Sequence, residues 1–263
     1  MTAAPAPASA APLAAHRPGP RSWLVLMVCE AKMVVRDTAG LVVPLGLPLL
    51  ILVMSAQSAA SQPIGGGLTA LEVYVLPLVF TVVIATIGIV NMPSFLAYYR
   101  RSGILRRLAV TPASPIMVLV AQAVVSLVQA LAGIALAFAI AVLAFGAVPP
   151  VDLGGALLAV ALGIAAMYGV GMIVAALAPT PNSAVAIGLV AFFALGALGG
   201  LFGGMAALPE PLATVGEVLP FGATVQALSA AWVGVPIEPA QLLGLGAAAL
   251  VGGGVGAACF RWE

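Results

Sequence analysis

Charged residues are missing from four long stretches of this 263-residue chain. The stretches lie between Asp37 and Glu72, between Glu72 and Arg100, between Arg107 and Asp152, and between Asp152 and Glu210. A helix needs about 20 apolar residues to cross the hydrocarbon core of a bilayer, and each stretch is long enough for at least one crossing. Only 6% of the residues are charged and the mean hydropathy is +1.23, which excludes an ordinary soluble domain. We therefore expect an integral membrane protein.

The expected fold class is all-α. The alternation of apolar and polar residues that marks a membrane β-barrel is absent, and a helix satisfies its own backbone hydrogen bonds in lipid. The apolar runs predict six transmembrane helices, over about residues 39–57, 71–92, 116–146, 153–177, 183–206 and 239–259. Pro44 and Pro48 are expected to kink the first span, and Met92-Pro93 to end the second.

The segments outside the spans differ in composition. Residues 1–20 are rich in Ala and Pro and predict a disordered cytosolic tail, so that the membrane domain would occupy residues 21–263. Apolar residues recur at helical spacing over residues 21–37, which predicts an N-terminal helix lying in the membrane interface. Prolines and glutamates interrupt residues 207–238, where we expect two short re-entrant helices that enter the outer leaflet before span six.

The nine Lys and Arg residues determine the predicted orientation. If both termini are cytosolic, all nine lie on the cytosolic side, whereas the outer side carries Glu72, Asp152, Glu210, Glu217 and Glu238. Cytosolic loops carry the excess of Lys and Arg in membrane proteins, so the basic residues decide this choice and the acidic ones agree with it.

The interiors of the spans carry no charged residue, which disfavours coupling to an ion gradient. The chain has one His and two distant cysteines, Cys29 and Cys259, and so shows no catalytic or metal-binding constellation. Its single lysine, Lys32, does not follow a glycine-rich turn, so the sequence contains no P-loop. Energy for transport would have to come from another protein.

The basic segment SFLAYYRRSGILRRLAVTPASP, residues 94–115, interrupts the apolar sequence once. Four arginines at the bilayer centre would cost roughly 2.5–3.5 kcal/mol each, so the chain must leave the membrane here. The residues allow two interpretations. The segment either anchors the topology through its positive charge alone, or forms a short helix that docks a cytosolic partner.

Residues 99–112, YRRSGILRRLAVTP, resemble the loop between spans two and three of ABC-2 type permeases. These are the membrane subunits of ATP-driven exporters, including daunorubicin-type drug exporters. The matching positions are Gly103, Leu105, Arg107, Leu108, Thr111 and Pro112. The interfacial helix, the six spans and the broken segment 219–228 agree as well, so the resemblance extends over about residues 21–260.

The resemblance implies that residues 100–112 form a cytosolic coupling helix in a groove of a separate ATPase subunit. The coupling residues would be Arg100, Arg101, Gly103, Leu105, Arg106, Arg107, Leu108, Thr111 and Pro112. Two ATPase subunits would bind ATP and Mg, with no cofactor on this chain. Their closure would switch this permease and a second one, identical or related, between inward and outward states.

Polar residues form one face of span three, namely Gln122, Ser126 and Gln129. They either make interhelical hydrogen bonds or line the substrate path. The same two interpretations apply to Asn91, Tyr168 and Asn182.

Small residues recur at four-residue spacing in span five (Gly196, Gly200, Gly204) and in span six (Gly244, Ala248, Gly252, Gly256). Such faces let helices approach closely, either within the subunit or between subunits. The resemblance implies subunit contact on spans one and five, which favours the span-five face for the dimer.

The expected function is that of an exporter permease moving an amphipathic drug, a lipid or a lipid-linked glycan out across a bacterial plasma membrane. No feature indicates nucleic-acid binding. One alternative is a non-transporting membrane scaffold or sensor whose basic loop recruits a soluble partner. Another is a secondary transporter, which the uncharged spans disfavour.

Overall fold

The computed structural model describes residues 19–103 and 115–259. In chain order the elements are α1 (Pro20–Arg36), α2 (Thr38–Ala60), a hairpin of β1 (Pro63–Gly65) and β2 (Leu68–Thr69), a π-helical turn (Leu71–Val75), α3 (Leu76–Ala85), a second π-helical turn (Thr86–Asn91), α4 (Met92–Arg101), α5 (Pro115–Phe145), α6 (Leu153–Leu177), α7 (Pro181–Leu198), a 3-10 turn (Met205–Ala207), α8 (Glu210–Val218), α9 (Pro220–Val233) and α10 (Pro239–Cys259).

Within these two ranges, six helices are long and apolar enough to cross a membrane. They are span one (Gly40–Ala60), span two (Leu71–Arg101), span three (Met117–Phe145), span four (Leu153–Leu177), span five (Pro181–Leu198) and span six (Pro239–Gly256). The predicted all-α integral membrane fold is therefore confirmed. Helix α1 lies where the interfacial helix was predicted, and α8 and α9 lie where two short helices were predicted. Their depth in a membrane stays a prediction.

Span two lies at the centre of the bundle. Other parts of the protein bury 78% of the apolar window of span two, compared with 28% of the windows of spans one and three and 22% of those of spans five and six. The outer spans instead expose large apolar side chains, such as Met54 at 74% and Leu250 at 79%. An apolar surface of this extent needs lipid or another apolar protein surface to cover it.

Span two does not end at Met92-Pro93, and that prediction is wrong. The helix continues to Arg101 because a π-helical turn precedes the proline. The Met92 N–H bonds to the carbonyl of Ile87, five residues back, and Pro93, which has no N–H to donate, follows directly. The same arrangement occurs earlier in the span, where Leu76 bonds to Leu71 and precedes Pro77.

Span five is shorter than predicted, since α7 ends at Leu198 rather than near residue 206. Gly200 and Gly204 lie beyond it in a turn, with φ of +86° and +80°, values that favour glycine. Gly196 faces Leu201 of the same turn. The prediction of a helical small-residue face in span five is therefore wrong.

The small residues of span six pack within the subunit. A Cβ atom added at Gly252 would lie 2.2 Å from the carbonyl carbon of Gly169 in span four, and one at Gly256 would lie 2.7 Å from the Met172 side chain. At Gly244 the neighbour is the Val218 carbonyl oxygen of α8, 2.3 Å away. Only glycine permits backbones to approach so closely, which confirms intrasubunit packing for this face.

Glu72 ties together one end of the bundle, which we call the acidic end. The buried carboxylate accepts hydrogen bonds from the Thr69 backbone N–H (2.9 Å) and hydroxyl, and from the Val148 N–H (3.3 Å). The Trp232 indole of α9 donates to the Val148 carbonyl at 3.1 Å. The turn between spans three and four is thus held against the start of span two and against α9.

Candidate functional site

Helix α1 is fastened to the end of span two by a buried pair, at the opposite end of the bundle, which we call the basic end. The hydroxyl of Tyr99 donates a hydrogen bond to the carboxylate of Glu30, and only 5% of the Glu30 surface is exposed. Burial raises the pKa of Glu30, and the hydrogen bond from Tyr99 opposes that rise in part. If α1 moves, either span two moves with it or the hydrogen bond between Tyr99 and Glu30 breaks.

The two arginines that end α4 lie in different surroundings. The Arg100 guanidinium donates to the carbonyls of Ala175 (3.4 Å) and Ala178 at the C-terminal end of span four, where the helix dipole favours a cation. Arg101 is exposed. Gly103 follows with φ of +67°, and its N–H bonds to the Arg100 carbonyl at 3.3 Å, which ends the helix.

The other predicted coupling residues, Leu105, Arg106, Arg107, Leu108, Thr111 and Pro112, lie outside the described residues. The structure does describe the residues directly before this segment. They form a helix end that Tyr99 fastens to α1 and Arg100 fastens to span four. The coupling role of all nine residues stays a prediction.

The backbone carbonyl of Gly40, at the start of span one, accepts hydrogen bonds from polar side chains of two other spans. Pro44 has no N–H to donate to the carbonyl four residues earlier, which is that of Gly40. Asn91 Nδ2 of span two and Gln129 Nε2 of span three each donate to this carbonyl at 2.8 Å. Asn91 Nδ2 also lies 3.4 Å from Gln129 Oε1. Three spans are thus joined where a proline leaves an acceptor without its usual helical donor.

The same arrangement recurs at the acidic end. Pro77 cannot donate to the carbonyl of Val73, and the Ser229 hydroxyl of α9 donates to it at 2.7 Å. A side chain from another helix again replaces the missing backbone donor. Pro44 and Pro77 therefore each leave a carbonyl that a side chain of another helix satisfies. The predicted kinks at Pro44 and Pro48 stay predictions.

The remaining polar residues of span three lie away from this carbonyl. Gln122 and Ser126 are each 1% exposed, and Gln122 Nε2 donates to Ser126 Oγ at 3.4 Å. Within the described residues, Gln122 Oε1 has no hydrogen-bond partner. Asn182 is exposed at the start of span five. The substrate-path assignment of Gln122, Ser126 and Gln129 stays a prediction.

A groove of about 190 Å³ opens between spans one, two and five. Its polar lining includes Asp37, Asn91 and Ser94, and its apolar lining includes Leu47 and Phe193. The groove thus offers hydrogen-bonding groups near the start of span one and apolar walls further along it. Sequence reasoning missed it, because its lining comes from three spans whose neighbourhood the sequence does not show.

The sequence profile described as ABC-2 family transporter protein matches residues 44–258. The chain belongs to this family. The match covers most of span one, all of spans two to six and the segment that joins spans two and three. The resemblance predicted from that segment is therefore confirmed at the level of the family. The daunorubicin-type branch stays a prediction.

No curated protein sequence matches the chain significantly. ABC-2 permeases are membrane transport components that act with an ABC ATPase.

Proposed function

We propose that this chain is the permease subunit of an ATP-driven exporter in a bacterial plasma membrane. It pairs with a second permease subunit, identical or related, and with two ATPase subunits that bind ATP and Mg. Both termini and the basic end face the cytosol, and the acidic end faces outward. The cargo is an amphipathic drug, a lipid or a lipid-linked glycan.

The observation that supports this proposal is the continuity of span two. The most buried helix of the bundle runs from Leu71 at the acidic end to Arg101, directly before the segment that resembles a coupling helix. An ATPase that displaces this segment therefore pulls on the helix that contacts the rest of the bundle. Through Tyr99 and Arg100 the same displacement acts on α1 and span four.

The groove between spans one, two and five supports an amphipathic cargo. It combines the Asp37 carboxylate and the Asn91 and Ser94 side chains with aliphatic and aromatic walls. Its volume of about 190 Å³ is smaller than the roughly 300–1,000 Å³ of sites that enclose a drug-sized molecule. The groove would therefore hold part of the cargo, with lipid or the second subunit covering the rest.

The experiment that tests the proposal is a pull-down of tagged protein from detergent-solubilised membranes of the native host. Wild type is compared with Arg106→Glu/Arg107→Glu, and with Arg36→Glu as a control that reverses a basic charge outside the coupling segment. We expect wild type and the control to recover an ABC ATPase, and the double variant to lose it. ATP hydrolysis by the recovered complexes should follow the same order.

The principal alternative is a non-transporting scaffold or sensor that uses its basic segment to recruit a soluble partner. Recovery of an ATPase with the double variant as well would keep the exporter but remove this segment from the interface. A well-expressed wild-type protein that recovers no ATPase, even after mild cross-linking, would favour the scaffold. Flux driven by an ion gradient without ATP would instead identify a secondary transporter.

A further inference from the structure

Two cavities at the acidic end share part of their lining, and we call the two together the acidic-end cleft. The larger has a volume of about 580 Å³ and the smaller about 290 Å³. Both are lined by Tyr74, Gln226 and Ser229, so the two compartments adjoin at these residues. The combined space is within the size of sites that bind small organic molecules.

The larger compartment is mainly apolar. Val75, Leu78 and Val225 line one part of it, and the glycine-rich turn 199–204 lines another. Gly200 and Gly204 adopt positive φ there, so the course of the turn depends on glycine. This compartment suits the apolar body of a ligand.

The smaller compartment offers hydrogen-bond acceptors. Gln241 is 8% exposed, and its Oε1 atom has no donor within the described parts of the chain. Glu238 adds an exposed carboxylate to the same lining. The Ser229 hydroxyl already gives its proton to the Val73 carbonyl, which leaves its oxygen as an acceptor. A ligand that donates hydrogen bonds would satisfy these groups.

The charge of the acidic end indicates which hydrogen-bond donor the ligand would carry. Basic residues in the ranges 19–103 and 115–259 all belong to α1 and to the end of span two, at the basic end. Within the described residues, the loops of the acidic end therefore carry carboxylates and no basic side chain. Tyr74 is 61% exposed and lines the same compartment as Glu238, and an aromatic ring attracts a cation held close to its face. An ammonium group therefore fits better than a neutral hydroxyl.

We propose that the acidic-end cleft binds an amphipathic molecule with a primary ammonium group. The ammonium lies against Glu238 and Gln241 beside the Tyr74 ring, and the apolar body occupies the larger compartment. Binding is a property of this chain alone. Only the further step, that the cleft is an exit subsite for exported cargo, rests on the proposed function.

The test uses dansylcadaverine, an amphipathic primary amine whose fluorescence reports an apolar environment, with the permease in phosphatidylcholine nanodiscs and no ATPase. Glu238→Gln, Gln241→Leu and Tyr74→Leu are each expected to weaken binding about threefold to fivefold. Glu217→Gln, an acidic residue of the same end that does not line the cleft, is the matched control and should bind like wild type. The N-acetylated probe, which carries no charge, should bind wild type and Glu238→Gln equally.

Three results would overturn the proposal: no saturable binding to wild type, equal weakening by Glu217→Gln, or equal affinity for the charged and acetylated probes. Circular dichroism and size-exclusion chromatography identify any variant that fails to fold, and the remaining lining variants then decide the question. Because no ATPase is present, this result is independent of the pull-down. Saturable binding by a wild-type protein that recovers no ATPase would keep the cleft and count against the exporter.

Discussion

The carbonyl of Gly40 allows a quantitative test of how the spans are joined. Asn91→Leu and Gln129→Leu each remove one of the two side chains that donate to this carbonyl at 2.8 Å. Pro44→Ala restores a backbone N–H four residues after Gly40, which can donate to the same oxygen. We therefore expect the cost of losing the side-chain donors to depend on whether residue 44 is proline.

The expected magnitudes follow from the number of donors that each variant removes. Side-chain hydrogen bonds between membrane helices average about 0.6 kcal/mol and reach about 1.7 kcal/mol, so each single variant should lose about that much unfolding free energy. Removing both donors leaves a buried carbonyl without these partners, which costs about 1–3 kcal/mol in addition. The double variant should therefore lose more than the sum of the two single variants. In the Pro44→Ala background the additional cost should disappear.

Reversible unfolding of the purified permease in mixed micelles, followed by tryptophan fluorescence and circular dichroism, measures these free energies. Gln57→Leu, at an exposed position of span one, controls for the change from amide to aliphatic side chain. Equal losses in the wild-type and Pro44→Ala backgrounds would refute the reasoning, because they would show that the side chains do not replace the donor that proline lacks.

Three further predictions test other parts of the chain. Gly252→Ala should lose about 1–3 kcal/mol of unfolding free energy through overpacking against span four, whereas Gly253→Ala, which meets nothing within 4 Å, should not. Burial raises the pKa of Glu30 above its ordinary 4.5, so the unfolding free energy should fall as pH rises from 4.5 through the raised pKa, and titration of Glu30→Gln should show a flatter dependence. In a cysteine-free background of intact cells, a membrane-impermeant thiol reagent should label Ile64→Cys and not Arg101→Cys; the reverse would overturn the proposed orientation.

The six spans were predictable because they depend on local quantities. A run of uncharged residues long enough to cross a bilayer is visible without any knowledge of neighbours, and the family follows from the segment that begins near Tyr99. The ends of the spans were less predictable. Met92-Pro93 is a stop signal in an ordinary helix, but a π-helical turn removes the hydrogen bond that the proline would break.

The polar site was predictable only as a pair of alternatives. Span three presents Gln129 on a polar face, but its acceptor is a backbone oxygen 89 residues away in sequence. One signal could have found it. Counting back four residues from Pro44 identifies Gly40 as an acceptor without its backbone donor, and an amide in another span is the natural group to satisfy it. The groove lined by Asp37 and Phe193 offered no such signal, because it exists only once three spans have packed.

These connections constrain how span two can move. The part that follows its second π-helical turn is held by Tyr99 to α1 and by Arg100 to span four, whereas the part before the turn lies in the bundle core. Rotation of one part against the other would pass through the turn that contains Asn91. Asn91 is bonded to the Gly40 carbonyl, so such a rotation would have to break or exchange that bond.

A carbonyl with two side-chain donors can keep one while it loses the other, which lowers the cost of rotation. The unfolding free energies of Asn91→Leu and Gln129→Leu would report the strength of the two hydrogen bonds that such a rotation has to break or exchange.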